Sequence, residues 1–308
     1  MEVSNVKPPL YMTEENSVEV VLARMKECSD PRFRLIMTSI IKHLHAVIKE
    51  IEPTQDEWYD AIQFLTQTGQ TCTDTRQEWI LLSDVLGVSM LVDTIDNRKP
   101  SRATESTVLG PFHVSGAPER KLGDNICLDG KGMPVVVSGR VTDTNGSPIA
   151  GATLDVWMAN EDGFYDVQQP GIQPDMNLRG IFHTDSDGRY WFRSARPRYY
   201  PIPGDGPVGR LLKLSGRHDL RPAHLHMIVT GSGYEPVITH CFDRKSPFLD
   251  SDPVFGVKES LILDFEDHNG QELASQLGIG NPFATVIMDF VLVSSQLGSS
   301  QKTENFSP

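Results

Sequence analysis

Over the first hundred residues the apolar positions recur with a helical period. The clearest run is Phe33, Ile36, Met37, Ile40, Ile41, Leu44, Val47, Ile48 and Ile51, which predicts one long amphipathic helix. Pro31 after Asp30 suits its first turn. Asn16 with Glu19, Thr54 with Glu57 and Thr75 with Glu78 match the capping-box pattern and predict further helix starts. His43 and His45 fall on the long helix and read as surface or packing residues. Residues 80–95 are nearly all apolar, with Ser83, Asp84, Ser89 and Asp93 as interruptions. The stretch is shorter than the ~20 residues of a membrane span, and it predicts a helix buried on most sides.

From about Glu105 Gly and Pro become frequent and the period drops to two. Segments 135–141, 153–157, 190–192, 224–230, 237–242, 260–265 and 284–292 read as short strands. Asn145-Gly146 and Asp187-Gly188 are turn dipeptides between them. The pattern predicts an α+β chain: a helical N-terminal domain over 1–106, a sandwich or barrel of short strands over 107–294, and a polar, disordered tail over 295–308.

Composition narrows the function classes. The 28 basic and 41 acidic residues leave a net charge of −13, which argues against nucleic acid or an anionic membrane as partner. The four cysteines, Cys28, Cys72, Cys127 and Cys241, are scattered with no CxxC pair. That pattern argues against a disulfide framework and for a reducing compartment, the cytoplasm. The N-terminus carries no apolar core of a secretory signal.

The chemistry concentrates in Arg221-Pro222-Ala223-His224-Leu225-His226. In a strand, residues two apart share a face, so His224 and His226 can reach one metal ion. Two upstream loops, Gly163-Phe164-Tyr165-Asp166 and Arg198-Tyr199-Tyr200-Pro201, offer phenolates. Hard anionic oxygens with two imidazoles point to a ferric site. A second pattern competes: His183-Thr184-Asp185 is an HxD pair that a later histidine could complete as a two-His-one-carboxylate Fe(II) site. The segment 139–153 also resembles the opening of many non-enzymatic β-sandwich binding modules.

Three ordered motifs resemble the intradiol ring-cleavage dioxygenases: residues 155–166 (DVWMANEDGFYD), the loop Tyr200-Pro-Ile-Pro-Gly-Asp-Gly-Pro207, and 221–226. Segments 83–89 and 107–112 extend the resemblance, which covers about 15–295. It implies an antiparallel β-sandwich over 107–294 and one non-haem Fe(III) per chain, held by Tyr165, Tyr200, His224 and His226. Tyr200 is chosen over Tyr199 because it lies five residues before Asp205, as in the family motif. The implied reaction uses O2 to open an aromatic diol between its two hydroxyl-bearing carbons. Arg221 would face the substrate and stabilise negative charge, Tyr200 would accept a proton, and His240 would assist through hydrogen bonding or proton movement. His240 and Asp84 resemble the branch acting on hydroxyquinol, with catechol as the alternative substrate. The implied pocket comprises Leu81, Asp84, Val108, Leu109, Gly110, Pro111, Phe112, Ile202, Pro203, Arg221 and Phe255. Leu81, Asp84 and Val88 share one helical face by spacing. Leu109 departs from the phenylalanine expected there, which would widen the pocket. The resemblance further implies a homodimer through the helical domain and phospholipid in an apolar tunnel there.

Overall fold

The computed structural model describes residues 11–74 and 76–295. The chain divides into two compact units, Met1–Thr66 and Gln67–Pro308. The predicted tail, the N-terminal residues and Thr75 of the third capping pair lie outside the described residues.

The first unit holds α1 (Ser17–Ala23), α2 (Pro31–Ile51) and the start of α3 (Gln55–Thr71). The Asp30 carboxylate accepts from the N–H groups of Arg32 and Phe33 at 2.8 and 3.0 Å, with Pro31 in the first turn. The Thr54 N–H donates to Glu57 Oε2 at 2.8 Å, and the Glu57 N–H returns to Thr54 Oγ1 at 3.3 Å, a closed capping box. Asn16 differs from expectation. It precedes α1 but its side chain bonds backward, accepting from the Thr13 N–H and donating to the Tyr11 carbonyl. His43 is exposed, and His45 Nδ1 lies 3.2 Å from Ser17 Oγ. Of the apolar stripe on α2 only Ile41 is buried; Phe33, Ile40, Leu44 and Ile48 stand exposed.

In the second unit, residues 80–95 form two helices, α4 (Glu78–Val85) and α5 (Val88–Asp96), rather than one. Gly87 adopts φ +74° and turns the chain between them. The expectation of burial on most sides also fails: Leu82, Val85 and Met90 are buried, but Ile80, Leu91 and Val92 are exposed.

The strands follow as β1 (Pro134–Asp143), β2 (Thr153–Trp157), β3 (Arg179–His183), β4 (Arg189–Ala195) and β5 (Tyr200–Pro201), then helix α6 (Pro207–Leu214). Next come β6 (Leu220–Arg221), β7 (His224–Thr230), β8 (Val237–Asp243), β9 (Ile262–Leu263), β10 (Glu266–His268), helix α7 (Gln271–Leu277), β11 (Phe283–Ile287) and β12 (Phe290–Leu292). One sheet runs β10-β11-β1-β12, with β4 also on β1; the other runs β3-β2-β7-β8-β9; β5 and β6 make a two-stranded ribbon. Alternating residues from both sheets, among them Val135, Val137, Leu154, Val156, Phe192, Leu225, Met227 and Phe290, form one dry core.

Most pairings are antiparallel, as expected, but β1 runs parallel to β11 and β12, and β8 parallel to β9. The expected strand 284–292 is split. Between its halves the Met288 N–H donates to the Ser138 carbonyl at 2.8 Å, and the Met288 carbonyl accepts from Tyr190 Oη at 2.6 Å. A Cβ at Gly139 would overlap that carbonyl, so only glycine admits the kinked chain there. Of the segment 260–265, Ser260 and Leu261 end a 3₁₀ turn (Glu259–Leu261) and only Ile262 and Leu263 form a strand, the short β9.

Candidate active site

The second sheet sets out the imidazoles by register. On β7, His226 stands opposite Trp157 of β2 and His240 of β8, while His224 pairs with Phe242. The β5–β6 ribbon places Tyr200 opposite Arg221, twenty-one positions apart in sequence. Tyr165 precedes a 3₁₀ turn (Asp166–Gln168), and Asp166 is anchored by Arg179, whose Nε donates to it at 2.8 Å.

Four polar atoms close into a ring. Tyr165 Oη lies 3.0 Å from Tyr200 Oη and 2.8 Å from His226 Nε2. Tyr200 Oη lies 3.4 Å from His224 Nε2, and the two Nε2 atoms are 3.2 Å apart. Atoms bound to one ion at roughly 2 Å are roughly 3 Å from each other, so these spacings fit a single metal. The His224 tautomer agrees. His224 Nδ1 is 2.7 Å from the Pro222 carbonyl, an acceptor only, so Nδ1 carries the proton and the Nε2 lone pair faces the ring. Two facing Nε2 atoms need either a shared proton or a cation. Burial, and then the Arg221 charge, push the His224 pKa down to about 3, and burial pushes His226 well below its ordinary value. Both are therefore neutral at pH 7. Burial, and then Tyr200, hold the Tyr165 phenol above its ordinary range. A cation in the ring would reverse that preference, as metals do for coordinated groups.

Aromatic faces hold these rings in place. Trp157 stacks on His226 with centroids 4.8 Å apart, and Phe112 on Tyr165 at 4.5 Å. Tyr199 stays out of the ring; it is partly exposed and packs edge-on against Phe248. His240 is wholly buried, with Nδ1 against Thr107 Oγ1 and, among the described residues, no hydrogen-bond partner for Nε2. The nitrogens of His224, His226 and His240 lie within 4.8 Å of one another, a looser set than the ring containing the tyrosines.

Arg221 is buried and bound by Asp252, a residue the sequence did not single out. Nε donates to Oδ1 at 3.1 Å and Nη2 to Oδ2 at 3.2 Å. Nη1 is turned to His224 Nε2, 3.2 Å away. Burial alone would lower the guanidinium pKa, but Asp252 and the tyrosines outweigh it and hold the group charged.

A cavity of about 220 Å³ adjoins Tyr200 and Arg221. Leu81, Asp84, Val108, Gly110, Pro111, Phe112, Ile202 and Pro203, all named for a pocket from the sequence, line it. Leu109 and Phe255 do not. Leu109 faces an adjoining hollow, and Phe255 stands half exposed beneath the Arg217 guanidinium. Val88 is off the wall as well, because the break at Gly87 ends the helical face it was expected to share. The wall also includes Arg76, Gln77, Glu78, Ile80, Gln168 and Val254, none of which was named for the pocket from the sequence. Asp84 is buried; burial raises its pKa, opposed by Ser89 and Arg221.

The HxD alternative finds no support. His183 is exposed and sits 2.9 Å from Glu119, and Asp185 accepts the N–H groups of Asp187 and Arg189 in a turn. Among the described residues, three or more His, Cys, Asp or Glu gather in ligand geometry only at His224, His226 and His240.

Comparisons with known proteins bear on the family of the whole chain. A family model described as dioxygenase matches residues 108–294, and one described as catechol dioxygenase N terminus matches 30–104. The chain is 60% identical over 283 residues to a hydroxyquinol 1,2-dioxygenase of Rhizobium sp. (strain MTP-10005), covering 92% of this chain and 96% of that one. It is 48% identical to a 6-chlorohydroxyquinol 1,2-dioxygenase of Cupriavidus pinatubonensis, covering 82% and 91%. The structure of hydroxyquinol 1,2-dioxygenase from Pseudomonas putida DLL-E4 superposes with a TM-score of 0.87 at 45% identity, covering 92% and 99%.

Proposed function

Since this chain belongs to the intradiol ring-cleavage dioxygenases and is an enzyme, we propose that it opens hydroxyquinol (1,2,4-trihydroxybenzene) with O2. Cleavage between adjacent hydroxyl-bearing carbons gives 3-hydroxy-cis,cis-muconate, equivalently maleylacetate. The observation that carries this reading is the closed ring of two tyrosine oxygens and two imidazole nitrogens beside a small, largely apolar cavity.

Tyr165, Tyr200, His224 and His226 would hold one non-haem Fe(III). Bound there, the ion supplies a Lewis acid that draws electron density from a chelated diol and makes its ring reactive toward O2. The protein's residues do the rest. Tyr200 closes the ring of donors through Oη and lines the cavity, and as a phenolate it would take a proton from a substrate hydroxyl. Arg221 Nη1, held charged by Asp252, stabilises negative charge on the substrate oxygens. His240 offers Nε2 as a buried hydrogen-bonding group. Phe112, Val108, Ile202 and Pro203 grip the aromatic ring and exclude water. Asp84 bonds the third hydroxyl, the group that separates hydroxyquinol from catechol.

The exposed stripe on α2, with Trp58, Ile62 and Leu65 of α3, supports a homodimer through the helical region, where an apolar tunnel would accept phospholipid. Among the described residues no helix is long and apolar enough to cross a membrane. The four free cysteines support the cytoplasm.

Oxygen uptake with hydroxyquinol and catechol side by side, with the product followed in the ultraviolet, tests the reading. Hydroxyquinol should be favoured by about ten-fold or more in kcat/KM. Faster turnover of catechol would replace the substrate, and no uptake with either would remove the activity.

A further inference from the structure

Glu78 opens α4 and is wholly buried. A buried carboxylate is costly unless its charge and lone pairs are matched. Here they are matched from two directions. Arg76 Nε and Nη2 donate to Oε2 at 3.0 and 2.9 Å, and the Val208 N–H in the first turn of α6 donates to Oε1 at 3.2 Å. The same guanidinium reaches Asp205: Nη1 donates to Oδ2 at 3.0 Å, and Nη2 lies 2.9 Å from Oδ1. Gly206 lets the two chain segments meet, since a Cβ there would overlap the Glu78 carboxylate.

These contacts join the two walls of the cavity. On one side Leu81 and Asp84 follow Glu78 by three and six residues along α4. On the other, Ile202 and Pro203 precede Asp205 by three and two. Arg76 and Glu78 also line the cavity, but their polar atoms face each other, Asp205 and the backbone. They are positioning residues, with no donor or acceptor role toward substrate.

We infer that Arg76, Glu78 and Asp205 form a strut that sets the width of the cavity and so decides which ring-substituted diols it admits. The inference rests on the diol-cleaving activity proposed above. A mere staple of the fold, once weakened, lowers the rates for all diols together. A strut, once loosened, changes the ratio between bulky and lean ones.

The test uses the iron-loaded enzyme, its Glu78→Gln and Asp205→Asn variants, and two substrates, hydroxyquinol and a ring-chlorinated hydroxyquinol. The expected result is a rise of about three-fold or more in the chlorinated-to-unsubstituted ratio of kcat/KM, with iron content and the visible band retained. A smaller rise, or a fall, in both variants overturns the inference. Should Glu78→Gln fail to fold, Asp205→Asn decides alone, because that carboxylate is 75% exposed. A parent enzyme that prefers catechol corrects the substrate, and catechol with a chlorocatechol then decides the strut. A parent that cleaves neither removes the proposed activity, and the dissociation constants of the same pair decide the strut.

Discussion

Asp252 grips Arg221 from one side, with both carboxylate oxygens on Nε and Nη2, and leaves Nη1 as the edge turned to His224. The carboxylate is itself held by the N–H groups of Gly256 at 2.9 Å and Val254 at 3.4 Å. The guanidinium is therefore fixed in direction before any substrate arrives, which is what electrostatic catalysis requires. Asp252→Asn keeps the shape and removes the charge. It should lower kcat by about ten- to a hundred-fold while iron content and the visible band stay as in the parent. Stopped-flow turnover and the absorption spectrum check this; a band lost together with activity would mean that Asp252 supports the metal instead.

His224→Ala removes one corner of the four-atom ring and should leave the purified protein with little iron, read by metal analysis. His183→Ala, on the exposed HxD pair, should leave iron and turnover within about two-fold of the parent, as surface changes usually do. If the second variant loses iron and the first does not, the ligand assignment is wrong.

Gly163 governs the approach of the two tyrosines. It adopts φ +83°, and a Cβ there would lie 2.7 Å from the Tyr200 Cβ. Gly163→Ala should strain the turn and push the Tyr165 and Tyr200 loops apart. The visible band should shift or weaken and the rate should fall, with far-ultraviolet circular dichroism unchanged. An unaltered band would show that the loops tolerate the added methyl.

Asp84 lies where function opposes stability. Its pKa is raised, first by burial, so the folded protein retains this proton at pH values where the unfolded chain has released it. Its contribution to stability is thus fully present below the ordinary aspartate value of 3.8 and lost as pH rises through the folded value. At pH 7 the carboxylate is a liability, and Asp84→Asn should raise the melting temperature there, with the gain vanishing below pH 3.8. The same variant should raise KM for hydroxyquinol much more than for catechol. Calorimetry at the two pH values and paired kinetics check both halves.

The sequence by itself determined the helical and strand regions of the chain, though not every break within them, and the donor types. Strand period two put His224 and His226 on one face, the capping residues at 30 and 54 started their helices, and the motif order marked Tyr165 and Tyr200. These are local properties, set by side-chain chemistry within a few residues. The tertiary structure decided what depends on residues far apart in the chain. It closed the four donors into a ring, set Arg221 opposite Tyr200, supplied Asp252, which no local pattern marked, and joined Glu78 to Arg76, where the local pattern offered only a helix start. It also split the last strand at Met288, where backbone bonding to Ser138 and Tyr190 overrides period, and turned the chain at Gly87 within the apolar run. Leu109 left the cavity for the same kind of reason: a motif fixes neighbours in sequence, while the direction a loop side chain takes is settled by the elements packed around it.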